Sequence, residues 1–78
     1  VELSELFPKN LESRSTSIEI LNLLEESSGW NQKSLAEQLE ISEYKLSRVL
    51  KKLEQGHYIM RERAGLDKII RLADSARS

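Results

Sequence analysis

The chain is short, almost neutral and free of cysteine. Its 78 residues carry a formal net charge of -1 at pH 7. A chain of this length buries only about 60% of the surface that its unfolded form exposes, so we expect one small domain with one binding surface. The lack of cysteine excludes disulfide bonds, thiolate metal sites and a cysteine nucleophile. The lack of cysteine also fits a reducing compartment, which predicts a cytoplasmic setting. No apolar run approaches the roughly 20 residues of a membrane-spanning helix, which predicts no membrane contact.

The near-neutral total hides an uneven distribution of charge along the chain. Residues 1–41 hold three basic and eight acidic side chains, whereas residues 42–72 hold eight basic and four acidic ones. A local excess of lysine and arginine attracts acidic partners such as nucleic acids even when the whole chain is neutral. We therefore expect a positive surface in the second half of the chain.

The first 15 residues mix polar side chains with a few apolar ones, and Pro8 interrupts any helical pattern at their centre. We predict that residues 1–15 are an N-terminal arm or linker. Two alternatives stand for its apolar side chains: they dock on the domain or on a partner, or they belong to a loosely ordered terminus, which is the preferred interpretation.

A first helix is predicted at about residues 17–27. Thr16 and Glu19 have the spacing of a capping box, in which each residue satisfies a free backbone N–H group of the other. The segment that follows has apolar residues within one arc of a helical period. These core candidates are Ile20, Leu21, Leu23 and Leu24.

A second helix is predicted at about residues 32–39, with Asn31 as its N-cap. Its inward side chains are Leu35, Ala36 and Leu39. Trp30, just before it, is either a core residue or an exposed aromatic for binding. A lone large apolar side chain between two amphipathic helices favours the core.

The third helix is predicted to run from Glu43 to about Gln55, and its pattern is the clearest in the chain. Ser42 is a suitable N-cap, and Gly56 marks the end of the helix. The core candidates on this helix are Leu46, Val49, Leu50 and Leu53. After Gly56 the residues favour strands, and the sequence AGLD at residues 64–67 is typical of a tight turn. We predict a β-hairpin over residues 57–72.

This order of elements resembles the winged helix-turn-helix superfamily, in particular MarR-like transcription regulators and the archaeal regulators related to them. The resemblance covers residues 16–73 and leaves residues 74–78 as a tail. It is carried by ILNLL, by NQKSLAEQLEIS, by EYKLSRVLKKLEQGHYIMR and by AGLD. It implies a mainly α fold with a small β-hairpin (α+β), in which three helices and a wing form the DNA-binding domain of a transcription regulator.

Two features depart from the pattern of that family. Glu40 occupies the turn between the second and third helices, where glycine often relieves a left-handed backbone. The chain also ends too early for the C-terminal helix that builds the dimer in MarR-like regulators, so a homodimer would need the N-terminal arm or a domain absent from this chain. Met60 is the only methionine, so the chain as given does not begin with an initiator methionine. We therefore expect a segment processed or excised from a longer protein.

The outward side of the third helix is basic, which predicts the reading surface for double-stranded DNA. Arg48 is placed to bind guanine in the major groove, while lysines farther along meet phosphates. The start of the second helix offers N–H groups to another phosphate. The hairpin, as a wing, would track the backbone or enter the minor groove, and the alternative for Arg71 is to fold back onto an acid. The candidate DNA-binding residues are Gln32, Lys33, Tyr44, Lys45, Ser47, Arg48, Lys51, Lys52, Arg61, Arg63 and Lys68.

The sequence leaves other interpretations open beside sequence-specific DNA binding. Lysine and arginine often serve only to keep a helix face solvated, and a winged helix also occurs as a protein–protein interaction module. RNA binding is less favoured because only Tyr44 adds an aromatic ring to the basic helix. A single histidine, His57, without a pocket or a positioned nucleophile argues against an enzyme, a metal site or a cofactor.

Overall fold

The computed structural model describes residues 3–27 and 29–73, so the predicted tail lies outside the described residues. Within these two ranges, no helix is both long and apolar enough to cross a membrane. Within the described residues, four helices and three strands follow one another. They are α1 (Leu3–Leu6), α2 (Leu11–Glu26), β1 (Trp30–Asn31), α3 (Gln32–Leu39), α4 (Glu43–Gln55), β2 (Ile59–Ala64) and β3 (Asp67–Leu72).

The strands form one antiparallel sheet in the order β1-β3-β2. The predicted hairpin is present, because β2 and β3 pair from Ile59 opposite Leu72 to Ala64 opposite Asp67. Gly65, in the turn, has a φ of 66°, a left-handed conformation that glycine adopts without strain. The short extended piece before α3 adds β1 as a third strand. The predicted fold, a three-helix winged helix-turn-helix, is confirmed.

The core lies where α2, α3 and α4 meet one face of the sheet. Burial of each large aliphatic side chain there stabilises the fold by about 1.5 to 3 kcal/mol. Trp30 is half-buried against this core, and its indole N–H donates to the carbonyl oxygen of Leu23 at 3.1 Å, so it is a packing residue. The buried cluster consists of Phe7, Ile20, Leu24, Leu35, Ala36, Leu46, Val49, Leu50, Leu53, Ile59 and Ile70.

The start of the first long helix differs from the prediction. Helix α2 begins at Leu11, and Asn10 is its N-cap, with its side chain accepting from the Ser13 N–H at 2.9 Å. Thr16 is buried within the helix, so the predicted capping box of Thr16 and Glu19 is wrong. The sequence pattern did not predict the additional turns of α2, because their inward residues are small and polar rather than apolar. The hydroxyl of one of them, Ser17, donates to the Ser13 carbonyl at 2.8 Å.

The N-terminal residues dock on the domain rather than extending away from it. Phe7 is only 6% exposed, and its carbonyl oxygen accepts from Nη2 of Arg14 at 3.0 Å. A Cβ added at Gly56, just after α4, would lie 2.6 Å from Cδ1 of Leu6, so glycine permits this close approach. The preferred interpretation of a loosely ordered terminus is therefore wrong for these residues. The predicted boundary between residues 15 and 16 falls inside α2.

The helix-turn-helix unit of α3 and α4 follows the prediction closely. Asn31 caps α3 and Ser42 caps α4, each accepting hydrogen bonds from N–H groups of its helix. Glu40, in the turn, has a φ of 56° and a ψ of 41°, a left-handed conformation that glycine adopts without strain. A non-glycine residue there costs on the order of 1 kcal/mol, which the hydrogen bond from Ile41 N–H to the Ala36 carbonyl helps to offset.

Candidate nucleic-acid interface

The exposed side of α4 presents the residues that the helical period predicted. Burial of the four aliphatic residues opposite fixes how the helix is rotated about its axis. Tyr44 is 75% exposed, and Arg48 and Lys51 are also exposed. Cζ of Arg48 lies 6.0 Å from the centre of the Tyr44 ring, one turn earlier on the helix. A cation at this distance from an aromatic ring is weakly attracted to it, so Tyr44 favours one direction for Arg48.

The two other candidates near the start of α4 are less open. Ser47 is half-buried at the edge of the exposed side. Lys45 forms an ion pair with Glu12, a residue in the first turn of α2, which the sequence analysis did not predict. This acid lies beside the predicted DNA-binding surface and neutralises part of its charge.

A groove of about 470 Å³ separates α4 from the N-terminal segment. The segment from Leu6 to Asn10 forms one side, and residues 44–52 on one flank of α4 form the other. Lys9 lines the groove, although it is not among the candidate DNA-binding residues predicted from the sequence. The four basic residues that line the groove are Lys9, Lys45, Arg48 and Lys52.

The hairpin distributes its basic residues in two ways. Arg63 and Lys68 face each other across β2 and β3 and are both exposed. Arg61 instead turns toward α4, where its Nε donates to Oε1 of Glu54 at 2.6 Å. Nε of Arg71 lies 3.3 Å from Oε2 of Glu62, so Arg71 does fold back onto an acid.

The start of α3 contributes one exposed cation. Lys33 is exposed, but its backbone N–H donates to the Asn31 side chain at 2.8 Å. That N–H group is therefore not free for a phosphate, and any role of Lys33 falls to its ammonium group. Gln32 is half-buried, and its side-chain Oε1 is buried without a hydrogen-bond partner among the described residues.

The site has the chemistry of an electrostatic binding surface. Over residues 3–27 and 29–73, no group of three or more histidine, cysteine, aspartate or glutamate residues is placed to hold a metal ion. What the geometry offers is a helix with outward cations and a hairpin beside it. Such a surface attracts an anionic polymer and displaces its counterions.

The family model named MarR family matches residues 14–68, which is more than half of the chain. The chain belongs to the MarR family. The predicted resemblance is thereby confirmed, and the matched range includes α3, α4 and most of the hairpin. Membership of this family of transcription regulators also agrees with the expectation that the chain is not an enzyme. No match was found among curated proteins.

Several solved structures have the same fold. A MarR transcriptional regulator from Methanosarcina mazei Go1 has a TM-score of 0.75 and 26% identity, over 81% of this chain and 48% of that chain. A single mutant of Lactococcus lactis ZitR in complex with DNA has a TM-score of 0.74 and 29% identity, over 88% and 49%. A double mutant of the same ZitR in apo form has a TM-score of 0.73 and 33% identity, over 90% and 53%. The chain thus spans about half the length of these proteins.

Proposed function

We propose that this MarR-family domain binds double-stranded DNA in a sequence-specific manner and acts in transcriptional regulation. Helix α4 lies in the major groove, and the β2–β3 hairpin acts as the wing. The observation that carries the proposal is the exposed side of α4, where no carboxylate of residues 3–27 or 29–73 pairs with Arg48 or Lys51. Cations without an acidic partner are available to DNA phosphates at no cost of breaking an ion pair.

Sequence choice comes from the first two turns of α4. Arg48 makes the bidentate contact to O6 and N7 of guanine, which discriminates against other bases by about 1 to 3 kcal/mol. Tyr44, Lys45 and Ser47 reach base edges or adjacent phosphates, and Lys51 and Lys52 bind phosphates farther along the helix. This division gives affinity to the lysines and selectivity mainly to Arg48.

The flanking elements hold the DNA backbone on both sides of α4. Lys33 at the start of α3 provides a charge on one side. Arg63 and Lys68 of the hairpin contact the backbone or the minor groove on the other. Arg61 and Gln32, also predicted from the sequence, contribute less, because Arg61 is paired with Glu54 and Gln32 is half-buried. The location that we propose for this function is the cytoplasm.

The proposed partner chain is a second copy of the same protein. Two copies would bring two α4 helices to half-sites about 34 to 36 Å apart, one turn of DNA. The N-terminal arm, or a domain outside this chain, would form the dimer. Support for DNA as the ligand also comes from the relative ZitR, whose structure was solved in complex with DNA.

A protein-interaction module is the alternative, and it is favoured by the exposed apolar side chains Leu11 and Ile18, which are seven residues apart on α2. The apolar residues that the sequence leaves outside the predicted core are chiefly Phe7, Ile18 and Leu66. Phe7 is buried and adds nothing to this surface, whereas Leu66 is exposed in the turn of the hairpin. Two exposed residues make a small apolar surface, whereas the basic surface extends over α4 and the hairpin. The charge therefore favours DNA.

Selection of bound sequences from a random duplex pool, followed by fluorescence anisotropy, tests the proposal. The selected duplex should bind at least about 10³-fold more tightly than a scrambled duplex at physiological salt. Equal affinity for both duplexes would contradict sequence-specific recognition. No binding to either duplex at low salt would favour the interaction module.

A further inference from the structure

We propose that the segment Leu6–Asn10 is part of the DNA interface, with Lys9 binding a phosphate of the DNA backbone in the groove beside α4. The inference rests on the proposed function, because it assumes that α4 faces DNA. It adds a second wall to the binding surface, built from residues that lie before the helix-turn-helix in the chain.

The charge of the groove favours a bound phosphate. Residues from both walls line it, and every charged side chain among them is basic. Lys9 stands on the N-terminal wall, opposite Arg48 and Lys52 on α4. Cations that face one another across a groove repel each other unless an anion lies between them. A phosphate at this place is held from two sides.

The apolar part of the lining fits the remainder of a nucleotide unit. Pro8, which is exposed, lines the groove together with the cations, and the buried residues Phe7 and Val49 add a little apolar surface. A DNA strand alternates charged phosphates with the much less polar faces of its deoxyribose rings. A surface that combines lysine ammonium groups with small apolar patches therefore matches a sugar-phosphate strand better than a free inorganic anion.

Lys9 is held in position by its neighbours on both sides. Phe7 is buried and its carbonyl oxygen is bound by Arg14, while the Asn10 side chain caps α2. The ring of Pro8 fixes its own φ angle between these two anchors. The backbone of Lys9 is thus already ordered, so only its side chain loses freedom when it binds a phosphate.

The acid that pairs with Lys45 beside this surface leaves Lys9 available. Glu12 is engaged by Lys45, and no carboxylate in the described ranges forms an ion pair with Lys9. Lys9 is also exposed. Both conditions for a phosphate contact, access and an unneutralised charge, are met.

The test compares Lys9→Ala with the 78-residue wild-type chain by anisotropy on the selected duplex and on a scrambled duplex. Loss of one phosphate contact reduces the slope of log affinity against log salt by about 0.9. The ratio of wild-type to Lys9→Ala affinity should then fall about 3.5-fold when salt rises from about 50 to about 200 mM. The loss should be the same on both duplexes, because a phosphate contact carries no sequence information.

Two variants serve as controls. Lys9→Arg keeps the charge and should retain the wild-type salt slope. Arg71→Ala removes one cation that is paired with Glu62 on the hairpin. This variant controls for net charge and should leave the salt slope nearly unchanged. Thermal unfolding followed by circular dichroism should be equal for Lys9→Ala and the wild type, since the side chain is exposed.

The outcomes separate this inference from the proposed function. Wild-type binding with an unchanged affinity and slope in Lys9→Ala overturns the inference and leaves the proposed function standing. A wild-type chain that binds no duplex overturns both. A slope change in Arg71→Ala as large as that in Lys9→Ala would also overturn the inference, because the effect would then report total charge rather than a groove contact.

Discussion

The basic residues of α4 and those of the hairpin differ in what surrounds them. On α4, Arg48 and Lys51 are exposed, and no carboxylate within the described parts of the chain pairs with them. In the hairpin, Arg61 is held by Glu54 and Arg71 by Glu62. The two regions look alike when their lysines and arginines are counted, yet only the helix offers most of its charge to an outside partner.

The presence or absence of a carboxylate partner distinguishes cations that stabilise the fold from cations that are available to bind DNA. The Arg61 side chain is 21% exposed and links β2 to the last turn of α4, so it holds the wing against the helix. To bind a phosphate it would first have to leave Glu54, and breaking even a fully exposed ion pair costs about 0.2 to 1 kcal/mol. We therefore expect charge removal on α4 to affect DNA affinity more than charge removal at Arg61.

The largest effect is expected for Arg48→Ala. Loss of the bidentate guanine contact should weaken binding to the selected duplex by about 1 to 3 kcal/mol and reduce the preference over a scrambled duplex. Arg48→Lys is the matched control, because it keeps the charge and loses the forked geometry. Anisotropy titrations of both variants measure the effect. Equal loss on both duplexes would show that Arg48 contacts phosphate only.

A direct comparison of Lys51→Ala with Arg61→Ala sharpens the contrast between helix and hairpin. Lys51→Ala should weaken binding to all duplexes and flatten the salt slope by about 0.9. Arg61→Ala should change that slope much less and instead lower the free energy of unfolding by about 0.5 to 1 kcal/mol, because its ion pair with Glu54 is lost. Anisotropy and urea unfolding give the two quantities. Equal salt slopes for the two variants would contradict the expected difference between the cations of α4 and those of the hairpin.

The smallest effect is expected for Glu12→Gln. This change frees Lys45 and removes a negative charge beside α4, so DNA affinity should rise by about two- to threefold at low salt and less at high salt. Glu25→Gln is the control, since Glu25 is an exposed acid in the last turn of the same helix. If both variants raise affinity equally, the effect reflects the charge of the whole domain and not the pair with Lys45.

The parts of the fold that were predicted well have local signals. The third helix has caps at both ends and four buried aliphatic residues at helical spacing, and the structure places it at Glu43–Gln55 as predicted. The beginning of α2 lacks such a signal, because Ser13 and Ser17 face inward where the pattern requires apolar residues. The docking of Phe7 was missed for a related reason, since Pro8 made its neighbourhood look irregular.

The same distinction applies to the candidate site. The direction in which Tyr44, Arg48 and Lys51 point follows from the helical period alone, so the sequence was sufficient. The pair of Lys45 with Glu12 joins residues 33 positions apart, and the approach of Lys9 to α4 depends on how the N-terminal segment packs. The periodicity of a short stretch of sequence cannot predict contacts between residues so far apart in the chain. They depend on tertiary packing.

The hydrogen bond from the Trp30 indole to the Leu23 carbonyl gives the molecule an intrinsic optical reporter. Trp30 is the only tryptophan in the chain, and its strand pairs with β3 while its ring N–H is held by the last turns of α2. Its emission therefore senses whether this helix and the sheet remain joined. Because Trp30 does not line the basic groove, fluorescence can follow loss of structure while a labelled duplex separately follows loss of binding.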